Sequence, residues 1–131
     1  MAKKILKIFG CIILVFALII IGFATFILLG KDSTMNQTIG DINLSNVEDG
    51  VYTGSYNGFR FSDAVEVTVK NHEITDIKVI KPQLFAKESV YQELTEKVRR
   101  RQSLDVDAVT GATADTKAFL KAVENAISNK Q

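Results

Sequence analysis

This sequence predicts an α+β fold: a small antiparallel sheet with two helices packed on one face, preceded by a single N-terminal transmembrane helix. Three observations carry that expectation. A long uncharged apolar run opens the chain, two alternating β-branched runs follow a polar stretch, and two segments with helical apolar spacing close it. The order strands, helix, loop, helix buries every apolar stripe if both helices cover one sheet face.

The opening run is Ile8–Leu29, "IFGCIILVFALIIIGFATFILL", 22 residues without a charge. As a helix it spans about 33 Å, enough to cross a bilayer. A signal peptide is the rival reading, but its apolar core is usually about 7–15 residues and ends at a small-residue cleavage site. This run is longer and ends "TFILLGKD". Lys3, Lys4 and Lys7 precede it, whereas Lys31 follows it beside Asp32. The positive-inside rule therefore keeps residues 1–7 in the cytoplasm and sends the rest across. The expected location is the cell membrane, single-pass, with an extracytoplasmic C-terminal domain and the lipid bilayer as a partner.

Composition excludes several function classes. Setting Lys3, Lys4 and Lys7 apart from the 16 basic residues leaves 13 against 15 acidic ones, so the exported part is slightly acidic and no nucleic-acid partner is expected. Cys11 is the only cysteine. "IFGC" has a faint likeness to the lipid-modified cysteine of bacterial lipoproteins, but there the apolar run precedes the cysteine. One cysteine leaves no intrachain disulfide, redox pair, covalent haem motif or four-cysteine cluster. With His72 the single histidine, no metal site of the usual zinc-ligand types is expected.

Residues 30–47 are polar and weakly patterned, as in a tether that lifts a domain off the bilayer. The domain itself is expected over 48–131, small enough for only a modest core. "DGVYTGSYNGF" places turn signals at Asp49-Gly50 and Asn57-Gly58 around a short strand. In "DAVEVTVKNHEITDIKVI", Val65, Val67 and Val69 alternate with Glu66, Thr68 and Lys70, and Ile77 and Val79 repeat the alternation. Two such runs around Asn71-His72 read as an antiparallel hairpin. His72 stands alone and invites a catalytic role, but a turn that needs positive φ is the plainer use.

Pro82 ends the strands, and "ESVYQELTEKVRRR" carries Val90, Leu94 and Val98 four residues apart, an amphipathic helix. Arg99, Arg100 and Arg101 close it, as the macrodipole favours. Docking an anionic partner is the sharper alternative for those arginines. The last helix, expected from about Asp115 to Ser128, puts Phe119, Ala122, Val123, Ala126 and Ile127 on one face. Tyr52, Tyr56, Phe59 and Phe61 gather near one turn, serving either a small core or a stacked ring system.

Between the helices lies "DVDAVTGATADTKAF". Gly111 permits a sharply bent backbone and close approach. Thr113 stands just before the last helix, whose first N–H groups are unpaired, partly positive and suited to a phosphate. On residue types alone, two readings stay open: an anion site with a hydroxyl beside it, or a helix cap by Thr113 or Asp115 with Gly111 turning the chain.

Asp107-Ala108-Val109-Thr110-Gly111-Ala112-Thr113 resembles the Asp-x-x-Ser/Thr-Gly-Ala-Thr motif of FMN-binding domains. That family includes peripheral subunits of the Rnf and sodium-translocating NADH:quinone oxidoreductase complexes and small membrane-anchored extracytoplasmic flavoproteins. The resemblance extends over "DGVYTGSYNG", "VEVTVKNHEITDIKV" and "TKAFLKAVENAI". It implies that Thr113 receives covalent FMN through a phosphodiester, installed by a flavin transferase that reads Asp107, Thr110, Gly111 and Ala112. The large complex subunits have a His/Glu-Thr-Pro-Gly loop where this chain has "KPQLFAKES", so no flavin-ring contacts carry over.

The residues make sense of such an attachment. A threonine hydroxyl needs a base beside it to act as a nucleophile, and the sequence offers none nearby, so an outside enzyme is implied. A covalent bond also prevents loss of the cofactor from a small open domain. No G-x-G-x-x-G motif and no second redox centre accompany it. The expected function is an electron carrier between a membrane electron-donor protein and an external acceptor, with no catalytic residue of its own and the tether letting the flavin swing. Lys117 and the arginine cluster are candidates for partner docking or plain solvated surface. Two other classes remain: a sensor holding FMN or another phosphate ligand reversibly, and a membrane-tethered interaction domain.

Overall fold

A computed structural model of the chain describes residues 1–128. The first element, α1 (Ala2–Leu28), contains nearly all of the uncharged run and buries none of its residues against protein. It is the one helix, among the described residues, long and apolar enough to cross a membrane. Past its N-terminal lysines the helix is apolar on every side, the composition of a membrane-spanning segment. Gly30, at φ +81°, bends the chain into the short helix α2 (Lys31–Met35).

Three strands follow: β1 (Gly50–Tyr56), β2 (Asp63–Lys70) and β3 (Glu73–Lys81). They form one antiparallel sheet in the order β1-β2-β3, with Gly50 opposite Val69, Tyr56 opposite Asp63, and Val67 opposite Ile77. The β2–β3 turn is the two residues Asn71 and His72, at φ +53° and +62°. That pair of left-handed residues gives a twist matching the strands. His72 is therefore a turn residue, as its sequence context implies. Its Nδ1 also lies 3.1 Å from the carbonyl oxygens of Leu44 and Val47, tying the hairpin to the segment before β1.

Period-two alternation in β2 sends Val65, Val67 and Val69 inward, where all three are buried. The helices α3 (Glu88–Arg101) and α4 (Thr113–Ser128) cover that face, α4 over β1 and β2 and α3 beside β3. Val90, Leu94 and Val98 of α3 are buried, as are Phe119, Ala122, Val123, Ala126 and Ile127 of α4. Tyr91 and Phe119 join the helices, with ring centroids 5.9 Å apart. The expected architecture is the observed one.

The stretch expected to be a free tether differs. Thr34 is fully buried and its hydroxyl lies 3.0 Å from the Tyr56 hydroxyl. Lys117 Nζ donates to the Gln37 carbonyl at 3.1 Å, and Lys121 Nζ donates to the Thr38 carbonyl at 3.2 Å. Ile39, Ile42, Leu44 and Val47 pack on the core. These apolar residues share no single period, so the segment reads as polar coil while it folds as a strap across α4. The domain is thereby held against the end of α1, and the swinging arm expected of residues 30–47 is absent from this arrangement.

Gln102 is a second feature that sequence patterning passes over. It ends α3 in a left-handed conformation at φ +51°. Its Oε1 accepts from Ile74 N–H at 2.6 Å, and its Nε2 donates to the Ile74 and Arg99 carbonyls at 2.9 and 2.7 Å. One side chain thus satisfies the β3 edge beside the register shift at Val69–Ile74.

Candidate functional site

The loop before α4 is built around a tight turn. Ala112 N–H donates to the Val109 carbonyl at 2.9 Å, and Gly111 occupies the third turn position at φ +76°. A type II turn requires that positive φ, which glycine reaches without strain. Nothing lies within 4 Å of where a Cβ on Gly111 would sit, so its role is conformational.

Thr116 locks this turn to the helix. Its Oγ1 accepts from Val109 N–H at 3.2 Å and donates to the Ala112 carbonyl at 2.7 Å, while its backbone N–H reaches the same carbonyl at 2.9 Å. The helical ladder consequently begins at Ala112, and Thr113 is the first residue of α4. The helix thus starts at Thr113, two residues before the Asp115 that sequence patterning suggests, because the turn locked by Thr116 already sets the helical ladder. Thr116 carries no periodic or motif signal, so only the folded chain shows its part in the turn.

Of the motif residues, Ala112 is buried with Val109 and Ala114, which fixes the loop to the core. Asp107, Thr110, Gly111 and Thr113 are exposed. Asp107 stands six residues before Thr113, and its carbonyl accepts from Lys97 Nζ at 3.2 Å. Thr113 makes no side-chain hydrogen bond among the described residues. Its hydroxyl is therefore not consumed as a cap. The N–H groups of Thr113, Ala114 and Asp115 have no intrahelical acceptor by helix geometry.

Thr113 faces a groove lined by Lys31, Met35, Arg60, Phe61 and residues 111–115. Lys31 and Arg60 bring two cations to the start of α4, from about 80 and 50 positions away in sequence. No spacing rule links them to the motif, so folding alone reveals them. A phosphate ester fits this donor set: an outward hydroxyl, free helix N–H groups and two cationic side chains.

Behind the groove lies a buried polar cluster. Gln83 Nε2 donates to Asp63 Oδ2 at 2.8 Å and to the Asp115 carbonyl at 3.0 Å, while Gln83 N–H donates to the Tyr91 hydroxyl at 2.7 Å. Asp63 is 2% exposed, and burial pushes its carboxyl up to about 7 against the opposing Gln83 hydrogen bond, with Asp115 adding to the rise. Burial also raises Asp115, countered by Arg60. The Tyr91 hydroxyl is pushed up to about 12, chiefly by burial. Asp63 Oδ1, Gln83 Oε1 and Asp115 Oδ1 are buried without a hydrogen-bond partner among the described residues.

The other candidates fall outside the groove or into the core. Tyr56 and Phe61 are buried core residues, Tyr52 donates to the Glu48 carbonyl at 2.6 Å, and Phe59 is exposed. Arg100 pairs with Glu96 on its own helix at 2.6 Å, Arg101 reaches the Asp105 carbonyl, and Lys117 is engaged with the strap. Among the described residues no group of three or more His, Cys, Asp and Glu side chains could hold a metal ion.

A family model described as the FMN-binding domain matches residues 58–128, just over half of the chain. A comparison with curated proteins finds no match.

Proposed function

Because the chain belongs to the FMN-binding domain family, we propose that FMN is held covalently, as a phosphodiester on Thr113, and that the protein is a membrane-anchored extracytoplasmic electron carrier. The observation that carries this reading is the Thr113 hydroxyl, exposed, unpartnered and facing a groove with Lys31 and Arg60. In attachment, the hydroxyl proton would pass to a base of the flavin transferase while a new Oγ–P bond forms at the FMN phosphorus and the phosphoanhydride bond of the flavin donor breaks, the other phosphate-bearing half of the donor leaving as a free phosphate monoester. The Val109–Ala112 turn presents Thr110 and Gly111 to that enzyme, with exposed Asp107 two residues before it. After attachment one negative charge remains on the phosphate, beside the α4 N–H groups and the two cations.

The bound flavin supplies one- or two-electron chemistry, and the chain sets its position. α1 keeps it at the membrane with residues 1–7 in the cytoplasm, near a membrane electron donor.

The test is export of the full chain from cells that contain a flavin transferase, followed by denaturing electrophoresis and intact-mass measurement. The carrier reading expects flavin fluorescence migrating with the chain and a mass increase of one FMN less water. Thr113→Val should abolish both while the fold is kept. Flavin lost on denaturation supports a reversible sensor, and no flavin at all supports an interaction domain. Label kept in Thr113→Val but lost in Thr110→Val would place the bond on the other threonine.

A further inference from the structure

We propose that Phe59, Leu84 and Phe85 form a lip seated in the headgroup and upper acyl zone of the bilayer that α1 crosses, so that the Thr113 groove opens beside the membrane surface. All three side chains are more than half exposed: 63%, 51% and 67%. Phe59 and Phe85 also have positive φ, +56° and +66°, an unfavourable backbone for a bulky residue. A ring that is both strained and exposed to water is a double cost, which an apolar cover relieves.

The lip is continuous with the membrane helix. A Cβ added to Gly30 would meet Phe59 Cδ2 at 2.8 Å, so the ring rests against the chain where it leaves α1. Leu84 N–H donates to the Arg60 carbonyl at 3.0 Å, joining the second part of the lip to the first. Arg60 in turn donates from Nε to the Ile27 carbonyl at 2.8 Å. Ile27 lies in the last turn of α1, inside the uncharged run. Its carbonyl has no intrahelical donor and, at the edge of the hydrocarbon, needs one from protein. Arg60 supplies it with a cation at the helix C-terminus, where the macrodipole favours positive charge.

That contact fixes the depth of the neighbouring residues. Lys31, Lys81 and Lys87 are exposed around the same end of the domain, flanking α1 and the Leu84–Phe85 loop. Aromatic rings with cations beside them are the composition of a membrane–water boundary, the rings among the upper acyl groups and the cations among the phosphates. The occupant is therefore lipid of the same bilayer. The face opposite, at the Gly50 end of β1, points to water.

The inference rests on α1 crossing a membrane, and the experiment separates the two. The chain has no tryptophan, so single replacements report cleanly. The full chain carrying Phe23→Trp, Phe59→Trp, Phe85→Trp or Val51→Trp is placed in phosphatidylcholine–phosphatidylglycerol vesicles, with and without bromine on the upper acyl carbons. Any quenching by bound flavin is the same in both lipids, so the ratio of the two intensities reads lipid contact alone. Phe23→Trp, in α1, Phe59→Trp and Phe85→Trp should lose intensity in brominated lipid, and Val51→Trp should not. If Phe23→Trp is quenched while either Phe59→Trp or Phe85→Trp matches Val51→Trp, the lip is in water and the inference is overturned. If Phe23→Trp itself is unquenched, α1 is not inserted and the membrane reading fails with it.

Discussion

Gly54 of β1 lies directly under the backbone of Ala126 in α4. A Cβ on Gly54 would overlap Ala122 O and Ala126 N and stand 2.7 Å from Ala126 Cα. Backbone atoms cannot swing aside as a side chain can, so glycine here sets how closely α4 lies on the sheet. Gly54→Ala is expected to push the helix off β1 and cost about 3 kcal/mol, the upper end for overpacking because the obstacle is backbone. Urea titration of the full chain in detergent measures this. A change within about 0.5 kcal/mol would show that the two elements separate easily.

Asp63 gives the domain a pH dependence opposite to the usual carboxylate. Its folded value is about 7 against an ordinary 3.8, with burial the main cause. The folded chain holds the extra proton between those values, so the contribution of Asp63 to stability is greatest below about 4 and is lost as pH rises through 7. The full effect is on the order of 4 kcal/mol. Between pH 5 and pH 8 about 3 kcal/mol of this should appear in urea titration, with the lower midpoint at pH 8, and Asp63→Asn should flatten the slope. A midpoint that rises from pH 5 to pH 8 contradicts this account.

Thr116 is expected to matter for labelling although it is buried away from the groove. Thr116→Val leaves Val109 N–H without its acceptor, a loss of about 1–3 kcal/mol. It also frees the turn that presents Thr113. Labelling yield should fall in Thr116→Val and recover in Thr116→Ser, which keeps the hydroxyl. Equal yields in Thr116→Val and the unaltered chain would show that the turn holds without it.

Gln102→Ala removes three hydrogen bonds at once and bares the Ile74 backbone on the sheet edge. The expected cost is about 1–3 kcal/mol. Amide hydrogen exchange at Ile74 is the direct readout, and it should quicken without a matching change at Val67 in the central strand. Uniform quickening across the sheet would mean global loosening instead.

Much of this protein was legible in its residues taken in order. The 22-residue uncharged run, the paired valine alternation around Asn71-His72, and the four-residue spacing of Val90, Leu94 and Val98 are local periodicities, and local backbone geometry reads them directly. The motif ending at Thr113 was legible for the same reason, since its turn and helix start involve neighbours in sequence. Tertiary structure alone decided what depends on distant pieces meeting. It laid residues 30–47 on α4 as a strap, started α4 at Thr113 through Thr116, and gathered Lys31 and Arg60 at the groove. It also buried Asp63 beside Gln83 and Asp115, and set Arg60 on the last turn of α1. Burial and electrostatic fields are sums over space, and no repeat along the chain encodes them.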